Sequence, residues 1–526
     1  MQQFVARHAD KITGVLSGFD RLIFRGHLMP LNHAGGVRGF LDSQQVLLKD
    51  FEKFAKAVTA LVRDGAEQVV RAHRRPIHRL ESNRVSKEDV ARAILREQPI
   101  RSGPICLMPI LEPCSTWQVW RSRERAHPQE VRRKSGKCLS LYTYYVDDEF
   151  GFVHVRLQTW MPFTIQVYIN GREWLGRQLD RIGMPYRRAD NCFPHLADPV
   201  RAQHLFDGML DLPWRKLLDD LIVRVNPALA TLVDAVGSSY YWVCHQSEWA
   251  SDVMFRDAGD LDALYPDLLH FALTHFDSHD VMRFLGKKLR PQFQGEVIND
   301  FKCRREGARV KFFVGANSQK MYGRSHPVAP VRGRMPAALR FENTMNDPGF
   351  FRVRRKAHGD PESECKPRPL RKGIADLRRR ARISQRINDR HANALATVTS
   401  QRRVHDVIGP ITKPAKFADH RVRAMHPWAA PDLPLLKAIA NGDFLITGFR
   451  NRDVHAAVFS GPPASEAERH KRTARVAYLL RILRGHGIIA KVDGTHRYQV
   501  TSKGREVIAA VLATDQAALS KLASCA

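Results

Sequence analysis

The sequence lacks the signatures of several protein classes. Its eight cysteines are scattered, and no Cys-x-x-Cys pair occurs among them. Such spacing does not favour a zinc ribbon or a disulfide scaffold, so we expect reduced thiols. No apolar run approaches the about 18 residues that a membrane span requires. Asp10 and Lys11 interrupt the N-terminal segment, which therefore does not resemble a signal peptide. We expect a cytoplasmic protein with no membrane partner.

Acidic residues are also scarce. The 526 residues include 54 Asp and Glu against 84 Lys and Arg, which gives a formal net charge of +30. Such an excess attracts polyanions, so nucleic acid is the first expected partner. Double-stranded DNA is the favoured form, while RNA and a homodimer stay open as alternatives. The chain has no Gly-x-x-x-x-Gly-Lys-Ser/Thr run, and no nucleotide-binding loop is expected.

Periodicity along the chain predicts a multidomain α/β or α+β protein that ends in a winged helix-turn-helix. Strand-like runs fill residues 137–170, and helical periodicity occurs at 50–70 and 171–181. The predicted units are an N-terminal α/β domain (1–190), a mainly helical segment (191–290), a small antiparallel sheet (291–350), a basic helical connector (351–430) and the winged helix-turn-helix domain (431–526).

The connector is the most basic part of the chain. Residues 351–430 contain 20 Lys and Arg against seven Asp and Glu, and a dense arginine run lies at 377–382. We predict that Arg378, Arg379 and Arg380 contact phosphates. The alternative is a helical face that is merely solvated.

The C-terminal 96 residues contain three helix signals, a hairpin signal and a final helix signal. Ser465 is the predicted N-cap of the longest helix, in which Val476, Leu479, Leu480 and Leu483 form an apolar stripe. Asp493-Gly494 is a favoured turn for the hairpin. The predicted DNA-binding residues of this unit are basic side chains of the helix and the hairpin, namely Arg469, Lys471, Arg472, Arg475, Arg484, Lys491 and Arg497.

The segment LLRILRGHGIIAKVDGTHRYQVTSKGREVI (479–508) resembles the closing half of bacterial winged-helix domains of the transcription-regulator type. The resemblance implies a helix in the major groove and a hairpin against the flanking backbone. The alternative is a winged helix that binds protein. Central phrases such as HQSEWA (245–250) resemble an uncharacterised bacterial family with a C-terminal winged helix. That family suggests an association with mobile DNA, so DNA binding for a mobile genetic element is the first functional interpretation.

A second resemblance concerns residues 307–346. The text around Tyr322 and the Leu-Arg-Phe-Glu strand ending at Glu342 resemble the catalytic sheet of rolling-circle replication initiators. Gly323 and Arg324 stand where that pattern has Asp and Lys. The resemblance implies Tyr322 as a nucleophile and Glu342 as a metal ligand. A metal-dependent endonuclease or replication initiator, with Mg²⁺ as its cofactor, is therefore the alternative function, and a protein that binds a structured RNA is the third. Without nuclease activity, no cofactor is implied.

Three further patterns have two interpretations each. If His245, Glu248 and Asp252 lie on one helix, they share a face and could hold a metal, although a packed helix with a polar edge is favoured. The run 275–280 offers metal ligands, but Asp277 with Ser278 also indicates a helix N-cap. Aromatic residues stand among basic ones at 117–145, which suits either single-stranded nucleic acid or a core.

Overall fold

The computed structural model describes residues 1–80, 85–121, 129–287, 298–304, 307–324, 330–331, 333–357, 359–360, 362–397, 404–417, 420–440, 444, 448–459, 461, 463–492 and 495–516. The fold is mixed helix and sheet, of the α+β class, as predicted. Within these residues, no helix has the length and apolarity needed to cross a membrane.

A ten-stranded antiparallel sheet is the centre of the fold. Its order is β2-β3-β4-β5-β1-β8-β12-β11-β10-β9, and β6 and β7 form a separate hairpin. The strands are β1 (Ile12–Leu28), β2 (Gly103–Arg121), β3 (Gln129–Asp147), β4 (Gly151–Gln158), β5 (Ile165–Asn170), β6 (Tyr186–Ala189), β7 (Cys192–Leu196), β8 (Tyr240–Phe255), β9 (Ile298–Arg304), β10 (Gly307–Val314), β11 (Asn317–Arg324) and β12 (Ala337–Met345).

Among the described residues up to 394, eleven α-helices pack on this sheet or on one another. They are α1 (Gln2–Arg7), α2 (Ala34–Ser43), α3 (Phe51–Ala72), α4 (Lys87–Glu97), α5 (Gly171–Arg181), α6 (Pro199–Gly208), α7 (Trp214–Val225), α8 (Ala228–Val236), α9 (Ala258–His275), α10 (Ser278–Phe284) and α11 (Leu377–Ala394). Helices α3 and α5 lie where the apolar periodicity predicts them. Asn170 caps α5, because its side chain accepts hydrogen bonds from the first turn.

The two faces of the sheet differ in character, because residues paired across strands share a face. We call the face that carries Arg21, Glu248 and Glu342 the polar face and its opposite the apolar face. On the apolar face, the Phe24 ring packs against Trp214 of α7, and Asn388 of α11 bonds to Ser251.

The polar face is covered only at its margins by described helices. At one end α6 lies so close to β1 that a Cβ at Gly18 would fall 2.1 Å from the Phe206 ring, so only glycine fits there. Towards the β2 edge, α4 places Arg92 over the Phe152 ring of β4 and Lys87 over the Tyr142 ring of β3. The middle of the polar face holds buried and half-buried polar side chains.

One sequence prediction is extended here and another is corrected. The segment 191–290 is mainly helical, as predicted, but it also contains β8, a 16-residue strand in the middle of the sheet. The strands of 291–350 are antiparallel as predicted, but they extend the ten-stranded sheet instead of forming a small sheet of their own. In β8 most side chains are buried on both faces. The strand therefore lacks the simple alternation of apolar and polar residues by which a half-buried strand is recognised.

The C-terminal part has its own apolar cluster, which runs from Val407 to Val511. Its elements occur in the predicted order, and Ser465 caps the longest helix as predicted. They are α12 (Val404–Ile408), α13 (Asp432–Ile439), α14 (Asn451–Val458), α15 (Glu466–Gly485), α16 (Ser502–Gln516) and the strands β15 (Ala415–Phe417), β16 (His420–Val422), β17 (Ile489–Lys491) and β18 (Tyr498–Val500). Strands β13 (Arg352–Arg355) and β14 (Lys366–Pro369) pair with each other before α11 and lie outside this unit.

Strands β17 and β18 pair as the expected hairpin, while its predicted turn, Asp493-Gly494, lies outside the described residues. The cluster also takes Val407, Ile411 and Met425 from the predicted connector. A stable fragment would therefore have to start well before the predicted boundary at 431.

We predict that Leu479→Ala destabilises the C-terminal unit by about 2–5 kcal/mol, because this side chain is 1 % exposed and its removal leaves a cavity. Amide hydrogen exchange of the full chain, followed in α13 to α16, measures the loss. Lys471→Ala, on the exposed side of the same helix, is the matched control and should change little. Equal protection of these amides in both variants would contradict the burial of Leu479.

Candidate metal centre

Three buried carboxylates meet in the middle of the sheet. Asp20, Glu248 and Glu342 each offer a carboxylate oxygen, and these oxygens all lie within 4.8 Å of one another. The three residues are 4, 8 and 2 % exposed. They come from β1, β8 and β12, which are adjacent strands, so residues separated by more than 300 positions share one site. We call this group the carboxylate triad.

Strand register and one bulge bring the triad together. Glu342 lies opposite Ala250, and Glu248 lies opposite Arg21, so both carboxylates point to the polar face. The pairing of β1 with β8 shifts between Phe19 and Arg21, which leaves Asp20 as the extra residue. A bulge of this kind re-aims a side chain, and bulges are common beside active sites.

Lys320 and Tyr322 of β11 hold Glu342 from one side. The Lys320 ammonium forms an ion pair with Oε1 of Glu342, and the Tyr322 hydroxyl donates to Oε2 at 3.0 Å. The register places Lys320 directly opposite Glu342. The structure thus brings together Tyr322 and Glu342, the two residues predicted as catalytic.

A second ionic cluster supports the triad from the other side. Arg340 donates from Nε to Oδ1 of Asp252 at 2.6 Å and from Nη1 to Oδ2 of Asp20 at 3.2 Å. Arg172 lies 3.1 Å from Oδ2 of Asp252. Asp252 is therefore neutralised by two guanidinium groups. The other oxygen of Asp20, Oδ1, is buried and has no hydrogen-bond partner.

Burial and mutual repulsion shift the pKa values of the triad carboxylates. Burial and the nearby Glu342 raise the pKa of Glu248 to about 7. Burial also raises the pKa of Asp20, although Arg340 opposes the shift. Burial raises the pKa of Glu342, but Lys320 and Arg340 have the larger opposite effect and lower that pKa to about 2. Near neutral pH, Glu248 is therefore partly protonated. A proton is expected in a group of buried carboxylates when no bound cation compensates their charge.

The dimensions and chemistry of the triad suit a hard divalent cation. Two oxygens on opposite sides of Mg²⁺ at about 2.1 Å each are about 4.2 Å apart, and the longer bonds of Ca²⁺ extend this to about 5 Å. The ligand oxygens of the triad lie no more than 4.8 Å apart, which is compatible with either ion. Each carboxylate oxygen has two lone pairs, so Glu342 can accept its two hydrogen bonds and still bind a metal. The unpartnered Oδ1 of Asp20 is a ready ligand.

The other predicted metal sets are corrected by the structure. His245, Glu248 and Asp252 lie on strand β8 and not on a helix, and Asp252 is engaged by arginines. Of that set only Glu248 belongs to the triad. Asp277 caps α10 in a capping box with Asp280, which agrees with the N-cap interpretation. Among the described residues, the triad is the one group of acidic, histidine or cysteine side chains with metal-ligand spacing.

Of the three phosphate contacts predicted in the connector, the structure contradicts the one at Arg380 and places the other two arginines in ion pairs. Arg380 is 1 % exposed and donates to the carbonyl of Cys244 at 2.8 Å, so it cannot reach a ligand at the surface. Arg378 pairs with Asp211, and Arg379 pairs with Asp376. This helix is part of the core of the sheet domain because its small and polar residues pack on β8 and β12.

The basic residues of α15 and its hairpin fall into two groups. Four of them have protein partners: Arg469 pairs with Glu466, Arg472 pairs with Glu468, Arg484 lies over the Phe417 ring, and Arg497 donates to the Gly448 carbonyl. Lys471, Arg475 and Lys491 are exposed. The charges of this second group therefore face solvent.

Most of the aromatic residues at 117–145 are core residues, which agrees with the second of their two interpretations. Trp117 is buried and donates from its indole to the Leu31 carbonyl at 2.7 Å. Tyr144 and Tyr145 are buried as well. Trp120 differs, because it is 54 % exposed and lies beside Arg132.

Sequence reasoning missed Asp20 altogether. The available signal was a lone acidic residue inside the strand-like run VLSGFDRLIF (15–24). Without knowledge of the bulge or of the strand order, that residue could not be joined to Glu248 and Glu342.

We predict opposite effects of pH on stability with and without metal. Glu248 has a pKa of about 7 in the fold against 4.5 as its ordinary value, so the stability from its neutral form is complete at acid pH and is lost as pH rises through about 7. Divalent metal requires the ionised form, so Mg²⁺ should raise the melting temperature more at about pH 8 than at about pH 6. Thermal melts in EDTA and in MgCl₂ measure both effects. Glu248→Gln should remove both, and unchanged pH dependence in that variant would contradict the assignment.

Comparison with protein-family models, curated proteins and solved structures found no match for this chain. The interpretation of the carboxylate triad therefore depends on its own geometry and chemistry.

Proposed function

We propose that this protein binds DNA and cleaves or transfers a phosphodiester bond with a divalent metal ion at Asp20, Glu248 and Glu342. The observation that carries the proposal is the convergence of three buried carboxylates from adjacent strands, with one oxygen of Asp20 unpartnered. A net charge of +30 supports a polyanionic substrate. The association with a mobile genetic element stays a prediction from the sequence resemblance.

The residues around the triad suit hydrolysis. A metal ion there would neutralise the charge that develops on the phosphate and lower the pKa of bound water. Glu248, ionised when a divalent cation is bound, could accept the proton of the attacking water through the carboxylate oxygen that does not hold the ion. The water oxygen forms a bond to phosphorus, the bond to one ester oxygen breaks, and that oxygen takes up a proton. Lys320, beside Glu342, can stabilise the leaving oxygen.

Tyr322 supports a covalent variant of the same reaction. Its hydroxyl lies 3.0 Å from Oε2 of Glu342, so a metal ion held by that carboxylate would lie near the phenol oxygen and favour loss of its proton to solvent. The tyrosine oxygen would then attack phosphorus, the displaced ester oxygen would take up a proton, and a DNA strand would be left attached to the protein. This second candidate corresponds to the predicted replication initiator. A covalent protein–DNA adduct that disappears in Tyr322→Phe distinguishes it from hydrolysis by water.

DNA binding is also supported by the C-terminal unit, for which we propose a winged helix-turn-helix. Its helices and hairpin follow that order along the chain, and α15 exposes Arg475, Tyr478 and Arg481 on one side. Both arginines lie beside the Tyr478 ring, at 5.6 and 5.4 Å. An exposed helix of this kind fits the major groove. Arg472 does not share this role, since Glu468 holds it.

We predict that wild-type protein with Mg²⁺ cleaves DNA and that triad variants do not. Glu342→Gln should abolish cleavage, because the amide loses the charge that holds the metal. Glu248→Gln should slow cleavage by about 100- to 10,000-fold, as expected for loss of a general base. Cleavage of supercoiled and single-stranded DNA, followed by electrophoresis with Mg²⁺, Mn²⁺ or EDTA, measures the activity.

The matched control for these variants is Glu173→Gln. Glu173 is a half-buried carboxylate paired with Arg188 at 2.9 Å, and it has no part in the triad. The control should cleave like the wild type, and all variants should remain folded by thermal melting. Cleavage that persists in Glu342→Gln, or a wild type inactive with every metal, would refute the enzymatic proposal. Preferential cleavage of RNA would redirect it to the third interpretation.

For the C-terminal unit we predict that Arg475→Ala lowers the affinity for a preferred duplex by about 1–3 kcal/mol if this side chain contacts a base. Arg472→Ala should leave affinity nearly unchanged, because its guanidinium is engaged within the protein. Binding to selected and scrambled duplexes separates base contacts from phosphate contacts. If Arg475→Ala and Arg481→Ala together do not weaken binding, α15 does not read DNA, and the protein-binding alternative becomes the better account.

A further inference from the structure

A row of basic side chains leads away from the carboxylate triad along β1. Arg21, Arg25 and His27 occur at alternate positions, together with Ile23, and they are half-buried on the polar face. The residues between them are buried on the apolar face. The row begins at Arg21, whose Nε lies 3.6 Å from Oε2 of Glu248 in the triad.

Strand β8 adds to this row. Its register sets Val243 opposite Arg25 and Tyr241 opposite His27, so these residues share the polar face. The pairing shifts at this point and leaves His245 as an extra residue, whose Nε2 lies 3.4 Å from Nη2 of Arg25. We call Arg21, Arg25, His27 and His245 the basic row.

Arg25 has no anionic partner in the described part of the chain. Its Nη2 lies 3.4 Å from Nε2 of His245, and its Nε is buried without a hydrogen-bond partner. The neighbouring Arg156 differs, because it is paired with Glu112. A half-buried guanidinium without a carboxylate is unusual, since buried charges are normally paired.

The lowered pKa values of His245 and His27 indicate the same excess of positive charge. Burial and the surrounding cations, including Arg25 and Lys372, lower the pKa of His245 to about 4. Burial, with Arg25 and Arg133, also lowers the pKa of His27. These rings are neutral at physiological pH, so they can accept or donate a hydrogen bond without adding to the repulsion. A phosphate placed here would relieve an existing imbalance.

An exposed aromatic ring stands at the far end of the row. Tyr241 is 50 % exposed on the polar face, beside His27. Exposed tyrosines of this kind stack on unpaired bases, and cations beside them pair with the backbone. In a duplex the bases already stack on one another, so the ring has a role only with a single strand.

We propose that the basic row and Tyr241 form a track for a single DNA strand, with phosphates on Arg21 and Arg25 and a base on Tyr241, that delivers a phosphodiester to the carboxylate triad. This inference rests on the proposed nuclease function and names its substrate as single-stranded DNA. Residues at alternate positions of a strand recur about every 7 Å, and the track spans only the adjacent strands β1 and β8, which lie about 5 Å apart. This narrow width fits one backbone and not the two of a duplex.

The test measures DNA binding in EDTA, so that no metal-dependent reaction takes part. Full-length protein is titrated against a fluorescent oligothymidylate, a hairpin duplex and an oligouridylate over a series of salt concentrations. Tyr241→Ala should weaken binding of the oligothymidylate by about five- to 100-fold. Arg25→Gln should weaken it and lower the salt slope by about 0.7, which corresponds to one phosphate of a single strand.

Two further variants serve as controls. Arg25→Lys keeps the charge and should restore the salt slope, which excludes a loss caused by misfolding. Arg215→Gln removes an exposed arginine from α7, a helix on the apolar face, and should bind like the wild type. Thermal melting compares the stability of all variants.

The possible outcomes separate this inference from the proposed function. Wild-type affinity in both Tyr241→Ala and Arg25→Gln would overturn the track, even if Mg²⁺-dependent cleavage is observed. An equal loss on the hairpin duplex would also overturn it, because the row would then contact double-stranded DNA. Tighter binding of the oligouridylate would assign the track to RNA instead of DNA. If the predicted losses occur but the protein cleaves no substrate, the track stands and the nuclease proposal fails.

Discussion

The buried ionic cluster of Asp252, Arg172 and Arg340 is the constraint on which the candidate site depends. Each of its members is at most 1 % exposed, so the charges must compensate one another. Arg340 also binds Asp20, which ties β12 to β1 across β8. Removal of one partner from such a cluster typically costs about 3–5 kcal/mol, because a charge is left buried and unpaired. The cluster therefore fixes the strand register, and with it the position of the carboxylate triad.

Beside this cluster, the triad and the basic row each contain a polar group without a partner. Asp20 retains an oxygen without a hydrogen-bond partner, and Arg25 has no carboxylate among the described residues. A divalent cation would bind the first group, and a phosphate would bind the second. Both ligands occur together in a metal-dependent reaction on nucleic acid. The two halves of the polar face thus suit the two components of one substrate complex.

The C-terminal unit stands apart from this arrangement, with its own apolar cluster. It contacts the sheet domain through α1, where Arg7 pairs with Glu506 and Arg505 bonds to Gln3. Its exposed arginines lie on α15, whereas the arginine-rich helix α11 is largely engaged in the core. Dense basic sequence is thus a poor guide to the surface, because a guanidinium can serve as a buried donor to carbonyl groups, as Arg380 does.

The sequence by itself determined the α+β class, the positions of most strands and helices and the cap of α15, because these depend on local periodicity and capping. It also singled out Tyr322 and Glu342, which adjacent strands bring into contact. Only the tertiary structure decided that β8 is a central strand and that Asp20 and Glu248 join Glu342. Strand order, register and a one-residue bulge bring together residues that are far apart in the chain, and no local pattern encodes those pairings. No local pattern encodes burial either: Arg380 is buried and Arg475 is exposed, although both lie in basic helices.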